Sequence, residues 1–446
     1  MSTPRRKNTA ITSAVFGTGE SVPKKSWVKS ANALGNPFPI QNLPYGVFSE
    51  PENAARCCVA IGEEVLDLAR LEEERLIDTG ATQPVFSRGS LNGFMALGTV
   101  HRRNVRARLT ELLIEGGDPV LRGNDRLRQA AFRKRTAVQM LLPFEVRGYT
   151  DFYAGQHHAA NVGAIFRGKE NALPPNWLSL PIGYNGRAST VVVSGTDVRR
   201  PLGQSRPAGS DLPIFGPTRQ LDFELELGAV VGTPSQMGEP ISVAEAYENI
   251  FGYVLLNDWS ARDIQAWEYQ PLGPFQGKAF ATSISPWIVT AEALEPFRVW
   301  TPERERPLLP YLLEPGPMLY DIALEVAIQP AGADQSTIVS RTNARELYYS
   351  AAQQLAHHAV CGCRMDTGDL LGSGTISGGT ENSRGSLLEL SWGATKPHFL
   401  NSGEARCFLE DGDRVTLRGV ADGGGYSVGF GECTGRVLPA PVERHW

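Results

Sequence analysis

The chain is short of the features that mark secreted, membrane-spanning and nucleic-acid-binding proteins. Six cysteines, Cys57, Cys58, Cys361, Cys363, Cys407 and Cys433, are scattered through 446 residues. They frame no disulfide scaffold and point to a reducing compartment, the cytoplasm. No run approaches the ~20 apolar residues of a membrane-spanning helix. The opening Met1-Ser2-Thr3-Pro4-Arg5-Arg6-Lys7 leads into no hydrophobic signal core. Positive charge is not in excess: 43 Lys and Arg against 48 Asp and Glu leave a net charge of −5, which argues against nucleic acid, whose binding rests on cationic counterion release. The basic residues that do cluster, Arg102, Arg103, Arg106 and Arg108, then Arg126, Arg128, Arg133, Lys134 and Arg135, fall in two helix-like segments and are expected on solvated helix faces. No internal repeat is evident, and no α/β-hydrolase serine is expected. The run His357-His358-Ala359-Val360-Cys361-Gly362-Cys363 lacks the second ligand cluster that zinc requires.

What the chain has is glycine, proline and oddly placed acids. The 47 Gly and 31 Pro favour many turns and a β-rich fold, and the length exceeds one typical core, so two domains are expected. Residues 1–26 are polar with a single acid, Glu20, and read as a flexible N-terminal extension. Strands over residues 57–61 and 65–68, turning at Gly62, and helices from Val100 to Ile114 and from Asp125 to Leu142 make a small β domain with helices over residues 27–143, ending at Pro143. Residues 144–446 carry most of the candidate acids and bases and form the second domain, in which irregularly spaced strands and few crossover helices predict a mixed, mainly antiparallel β architecture.

In Leu221-Asp222-Phe223-Glu224-Leu225-Glu226-Leu227, strict alternation predicts a strand with three acids on one face. Side chains two apart stand roughly 6.5 to 7 Å from each other, so a divalent ion fits between neighbours; a solvated polar face is the competing reading. Asp151, in Tyr149-Thr150-Asp151-Phe152-Tyr153, is read as a helix start, with the helix running to Val162 and stopping at Gly163. On that helix His158 returns to the face of Asp151 about two turns on, roughly 10.5 Å away, where an imidazole suits proton transfer from water. Asp258 ends an apolar strand, and Ser260-Ala261-Arg262-Asp263 resembles a capping box. Arg262, Gln265 and Tyr269 then share one helix face, which suits an anionic, oxygen-rich small molecule; Lys278 and Thr282 follow within reach. Gly372-Ser373-Gly374-Thr375-Ile376-Ser377-Gly378-Gly379 is a candidate carboxylate-binding turn. Glu389 lies in the hydrophobic run Ser386 to Trp392, read as a strand, where it either orients a histidine or forms a structural ion pair.

Taken together, these segments resemble the fumarylacetoacetase (fumarylacetoacetate hydrolase) family. The resemblance runs from Phe38-Pro39-Ile40-Gln41-Asn42-Leu43-Pro44-Tyr45-Gly46-Val47-Phe48 to Tyr426-Ser427-Val428-Gly429-Phe430-Gly431, through Tyr149–Tyr153, the stretch from Asn257 to Gln265, and Gly374-Thr375-Ile376-Ser377-Gly378. It implies an SH3-like N-terminal β-barrel, a C-terminal mixed β-roll and a homodimer. It implies metal-dependent hydrolysis of a carbon-carbon bond in a β-diketo acid, the last step of tyrosine and phenylalanine catabolism. By the same resemblance, Asp151, Glu224, Glu226 and Asp258 hold calcium, and Asp258, Thr282 and Lys278, the last through its carbonyl, touch magnesium. His158 and Glu389 activate water. Arg262, Gln265 and Lys278 stabilise developing negative charge, and Tyr153, Arg167, Tyr184, Gln265, Tyr269 and Thr375 bind substrate. Two departures stand out: the first 26 or so residues exceed the usual start, and Asn185 replaces a histidine at what is expected to be the pocket rim. A non-catalytic, metal-stabilised binding module is the rival from a different class.

Overall fold

A computed structural model describes residues 23–51 and 53–442; most of the expected N-terminal extension lies outside them. Its last residues are held in place: the Ser26 hydroxyl donates to the Leu113 carbonyl at 2.7 Å, and the Lys25 carbonyl accepts from the Glu115 amide.

Most of the structure rests on three sheets. The first is antiparallel throughout, in the order Phe132–Lys134, Glu64–Asp67, Arg56–Ile61, Tyr45–Ser49, Gln139–Leu141. The second has eight strands, and at its centre Leu225–Val231 pairs antiparallel with both Ile250–Asp258 and Leu370–Gly372. Tyr149–Phe152 joins it parallel to Leu370–Gly372, and Val191–Val193 joins parallel to Thr282–Ile284. The third is antiparallel in the order Thr337–Asn343, Ala323–Gln329, Arg414–Asp422, Ser427–Leu438, and ends on the short parallel strand Val198–Arg199. The expected mixed, mainly antiparallel architecture is therefore present.

The middle sheet is covered on both faces, which explains why Ile250–Asp258 is buried along its whole length. Alternation sends Val254 and Leu256 into one core with Tyr45, Val47 and Phe94, and Tyr253 and Leu255 into the other with Leu324 and Leu417. A strand covered on both sides reads as a nearly continuous apolar run. Among the described residues no helix is long and apolar enough to cross a membrane.

Three expectations need correction. The helix expected from Asp125 to Leu142 stops at Ala131, and Phe132–Lys134 and Gln139–Leu141 become the two edge strands of the first sheet. Tertiary pairing overrides a weak helical pattern there. Arg102 and Arg106 are not on a solvated face. Arg102 is buried over the Phe251 ring and donates to the Glu248 carbonyl, while Arg106 donates to the carbonyls of Gln41 and Asn42. Both cations satisfy backbone acceptors at the seam between the first sheet and the second. Ser260–Ala261 is a short strand, and no side chain caps the Arg262–Glu268 helix after it; Asp263 accepts instead from Thr218 and the Arg219 amide.

Phe251 sits at that seam, with ring centroids of Tyr45 at 5.5 Å and Phe94 at 6.0 Å. Phe251→Ala is expected to cost about 3–5 kcal/mol of stability, read as a lower denaturant midpoint, and to leave the distant acid cluster able to bind its ion.

Candidate active site

The central sheet gathers acids at one end. Asp258 is the last residue of its strand, and Glu226 stands near the start of the antiparallel neighbour. Asp151 comes from the parallel strand opposite Gly372. The expected alternating strand is interrupted, since Leu221–Asp222 and Leu225–Val231 are separate strands with Phe223 and Glu224 between them. The break lets Glu224 turn in with the others. Ligand atoms of Asp151, Glu224, Glu226 and Asp258 lie within 4.8 Å of one another, all four side chains are buried, and together they can hold a metal ion. The solvated-face alternative is thereby excluded.

Burial of this kind demands a counter-charge. Lys278 Nζ donates to Glu224 and, at 2.8 Å, to Asp258, and Arg262 Nη1 reaches Glu224 at 2.7 Å. Burial works against ionised Glu224, but Lys278, Arg262 and His158 outweigh it and bring its pKa down to about 2. Asp151 and Glu226 have no cation of their own among the described residues. Burial first, then repulsion from the neighbouring carboxylates, pushes both well above the carboxylate range. Asp151 Oδ1 and Glu226 Oε1 are buried without a hydrogen-bond partner. Two orphaned oxygens beside two neutralised acids fit a divalent cation, whose charge would take the place of the missing partners. Gly372 keeps the cage open, because a Cβ there would stand 2.6 Å from Asp151 Oδ1 and 2.9 Å from Glu226 Oε2.

Asp151 does not start a helix. Tyr149–Phe152 is a strand and the helix is Gln156–Arg167, so Asp151 and His158 meet through the turn between them rather than along one helical face. Gly163 lies inside this helix because a Cβ would fall 1.8 Å from the Ala172 carbonyl oxygen, a packing requirement and not a stop. His158 Nδ1 is 2.6 Å from Glu389 Oε2. With Nδ1 committed to a carboxylate, Nε2 is the free base, and it lies 3.9 Å from Glu224. Glu389 also departs from expectation: Leu387–Leu390 is a one-turn helix capped by Ser386. Its carboxylate further accepts from Asn161, Ser377 and Ser386, each at 2.9 Å. Burial would raise this acid, but His158 and these donors prevail and hold it below its usual range.

A cavity of about 440 Å³ opens onto the acids. Its wall includes every residue expected to bind substrate, Tyr153, Arg167, Tyr184, Gln265, Tyr269 and Thr375, together with His158, Arg262 and Lys278. Glu226, Asp258, Thr282 and Glu389 stand behind that wall; Thr282 donates to Asp258 at 3.0 Å and Tyr184 donates to it at 3.2 Å. The glycine-rich turn does hold a carboxylate through its backbone, but the Gly374 amide donates to the protein's own Glu226. Asn185 is exposed and faces an outer groove with His358, away from this cavity. His357 and His358 bond instead to Tyr311 and Thr150. Gly425-Tyr426-Ser427-Val428-Gly429 has nucleophile-elbow spacing, but Ser427 opens a hairpin strand, so it makes no such elbow. Sequence reasoning had Gly372 and Ser377 only as members of the glycine-rich turn, and it missed Asn161 and the apolar collar of Val162, Phe166, Ile182 and Leu272. Of these, only the collar left a trace, in the 3–4 spacing of Val162 and Phe166.

Residues 147–438 match the family described as fumarylacetoacetate hydrolase C-terminal, and residues 41–143 match fumarylacetoacetase N-terminal. The chain is 52% identical to the fumarylacetoacetase of Arabidopsis thaliana, over 91% of this chain and 96% of that one. It is 51% identical to the Bos taurus enzyme and 49% to the human one, each over 90% of this chain and 96% of the relative. In fold it is similar to a fumarylacetoacetate hydrolase from Exiguobacterium antarcticum, with a TM-score of 0.51 and 16% identity, covering 89% of this chain and 99% of that one.

Raised carboxyls favour the folded state while they are protonated, and that contribution is lost as pH climbs through their elevated values; a divalent ion bound to the carboxylates replaces the lost protons. The rise in melting temperature on adding a divalent cation is therefore expected to grow as pH climbs above the ordinary carboxylate range, where the raised Asp151 and Glu226 lose their protons. In Gly372→Ala it is expected to shrink or vanish. Thermal unfolding with and without chelator measures both.

Proposed function

The chain belongs to the fumarylacetoacetate hydrolase family and hydrolyses the carbon-carbon bond of 4-fumarylacetoacetate to give fumarate and acetoacetate, and we propose that it does so in the cavity above the four acids. The observation that carries the assignment is the His158–Glu389 pair, whose free Nε2 faces the same cavity as the carboxylate cluster. A binding module would need the acids but has no use for a buried, oriented base beside them.

Calcium and/or magnesium, held by Asp151, Glu224, Glu226 and Asp258 with Thr282 and the Lys278 carbonyl alongside, would supply Lewis-acid polarisation of the diketone oxygens. The protein groups do the rest. Tyr153, Arg167, Tyr184, Gln265, Tyr269 and Thr375 bind the substrate, whose two terminal carboxylates suit a cavity bearing Arg167 at its rim and Arg262 and Lys278 within. His158 Nε2 takes a proton from water, while Glu389 fixes the tautomer and stabilises the imidazolium that forms. The hydroxide adds to the fumaryl carbonyl carbon. When the adduct collapses, the bond to the central carbon breaks and its electron pair leaves as the acetoacetate enolate. Arg262, Lys278 and Gln265 disperse that charge, the first two from buried positions beside the acids, and His158 returns the proton to the enolate carbon.

The family reading extends to an SH3-like barrel for the first sheet, a β-roll for residues 144–446, a cytoplasmic homodimer, and a place at the end of tyrosine and phenylalanine catabolism. Exposed apolar side chains near the cavity mouth, Phe166, Leu272 and Phe275, support self-association.

His158→Ala is expected to keep the fold and the ion-dependent thermal shift while hydrolysis, followed as the absorbance decay of fumarylacetoacetate, falls about 10²- to 10⁴-fold. Unchanged turnover in this variant would remove the base from the mechanism. A chelator should abolish wild-type activity, and added calcium or magnesium should restore it.

A further inference from the structure

The residues assigned to chemistry lie on separate stretches of chain: Arg262 begins the Arg262–Glu268 helix, and Glu389 lies on the Leu387–Leu390 turn more than a hundred residues later. One carboxylate touches both, and it belongs to neither the acid cage nor the cavity wall. Asp222 is fully buried. Its Oδ2 accepts from Arg262 Nε at 2.9 Å and from the Leu388 amide at 3.0 Å; its Oδ1 accepts from the amides of Leu387 at 2.7 Å and Phe223 at 2.9 Å. The two amides of 387 and 388 open the turn that carries Glu389, and Glu389 aims His158. The guanidinium it grips has its Nη1 on Glu224 and on Gln265.

We propose that Asp222 is a positioning residue that sets the base pair, His158 and Glu389, in register with the charge-stabilising Arg262. The inference rests on the roles given above to those three residues. A single rigid anion with every lone-pair direction occupied fixes the distance between the two arms better than either loop can alone. An error of about 1 Å in such an alignment costs on the order of 100-fold in rate. A mere core ion pair would contribute to stability and leave turnover alone.

Asp222→Asn keeps the size but has one acceptor oxygen, so it cannot serve both Arg262 and the two amides. It is expected to lower kcat at least about 10-fold with KM changed less than about twofold, while the ion-dependent thermal shift survives because all four cage carboxylates remain. Combined with Glu389→Gln, the two losses should be far less than multiplicative, since both act by releasing the same base. If Asp222→Asn does not fold, Asp222→Ser in saturating calcium carries the same comparison. Wild-type kcat in a folded Asp222 variant whose Glu389→Gln counterpart is impaired overturns the proposal, as do fully multiplicative losses. Failure of both variants to fold with ion bound would make Asp222 structural only. Full activity in Glu389→Gln would instead bring down the base assignment itself, a distinct outcome.

Discussion

Four carboxylates within 4.8 Å of one another, all with buried side chains, set the terms for everything around them. Lys278 and Arg262 neutralise the Glu224 and Asp258 side of the group, and Asp151 and Glu226 are left uncompensated. Such a cluster survives folding only by taking up protons or a cation. The same imbalance that would destabilise an empty site is what gives it affinity for a hard divalent ion. The polarising power needed to expel a carbon leaving group is thus an outcome of how the sheet buries its acids.

That burial depends on the double coverage of the central sheet. Ile250–Asp258 has one core above it and another below, so its end is fixed from both sides and Asp258 inherits a rigid backbone. Glu226 and Asp151 come from strands of the same sheet, and register alone places Thr282 opposite Asp258 and Gly372 opposite Asp151. Sites built on strands keep their geometry better than sites on loops. Arg102 and Arg106, spent on backbone carbonyls at the seam, serve the same end by joining the first sheet to the second.

The chemistry of the site was more legible in the sequence than its secondary structure. The apolar run ending in Asp258 and the spacing of Arg262, Gln265 and Tyr269 announce side chains that converge, because period and burial are local properties, whereas the alternation through Asp222, Glu224 and Glu226 is broken before Leu225 and leaves Asp222 outside the cage. Asp151 and Glu389 were read as chemically active residues on the wrong elements. Tyr149–Phe152 carries aromatic and β-branched residues that favour a strand, and the Ser386 to Glu389 spacing is an N-cap signal that outweighs the hydrophobic run around it. Gly163 misled for a different reason, since its lack of a side chain answers a contact with Ala172 that lies outside any local pattern. A partner 228 positions away, such as Asn161 on Glu389, leaves no trace in a single sequence.

The division between rigid strands and short helices also separates two tasks with different tolerances. Ion binding accepts some variation, because carboxylates can engage a divalent cation in one- or two-oxygen modes. The proton transfer proposed for His158 does not, since it would need Nε2 at hydrogen-bond distance from one water on a defined line. The structure answers with an uneven distribution of holds. Glu389 takes four side-chain donors, His158 among them, whereas Asp151 Oδ1 and Glu226 Oε1 are left free. Where the bound ion completes the geometry, the protein leaves oxygens open, and where nothing arrives with the substrate to correct an error, it closes every hydrogen bond. The proposed carbon-carbon hydrolysis needs both, because Arg262, Lys278 and Gln265 beside the cage would stabilise the enolate while the proton it finally receives would come from the tightly held base.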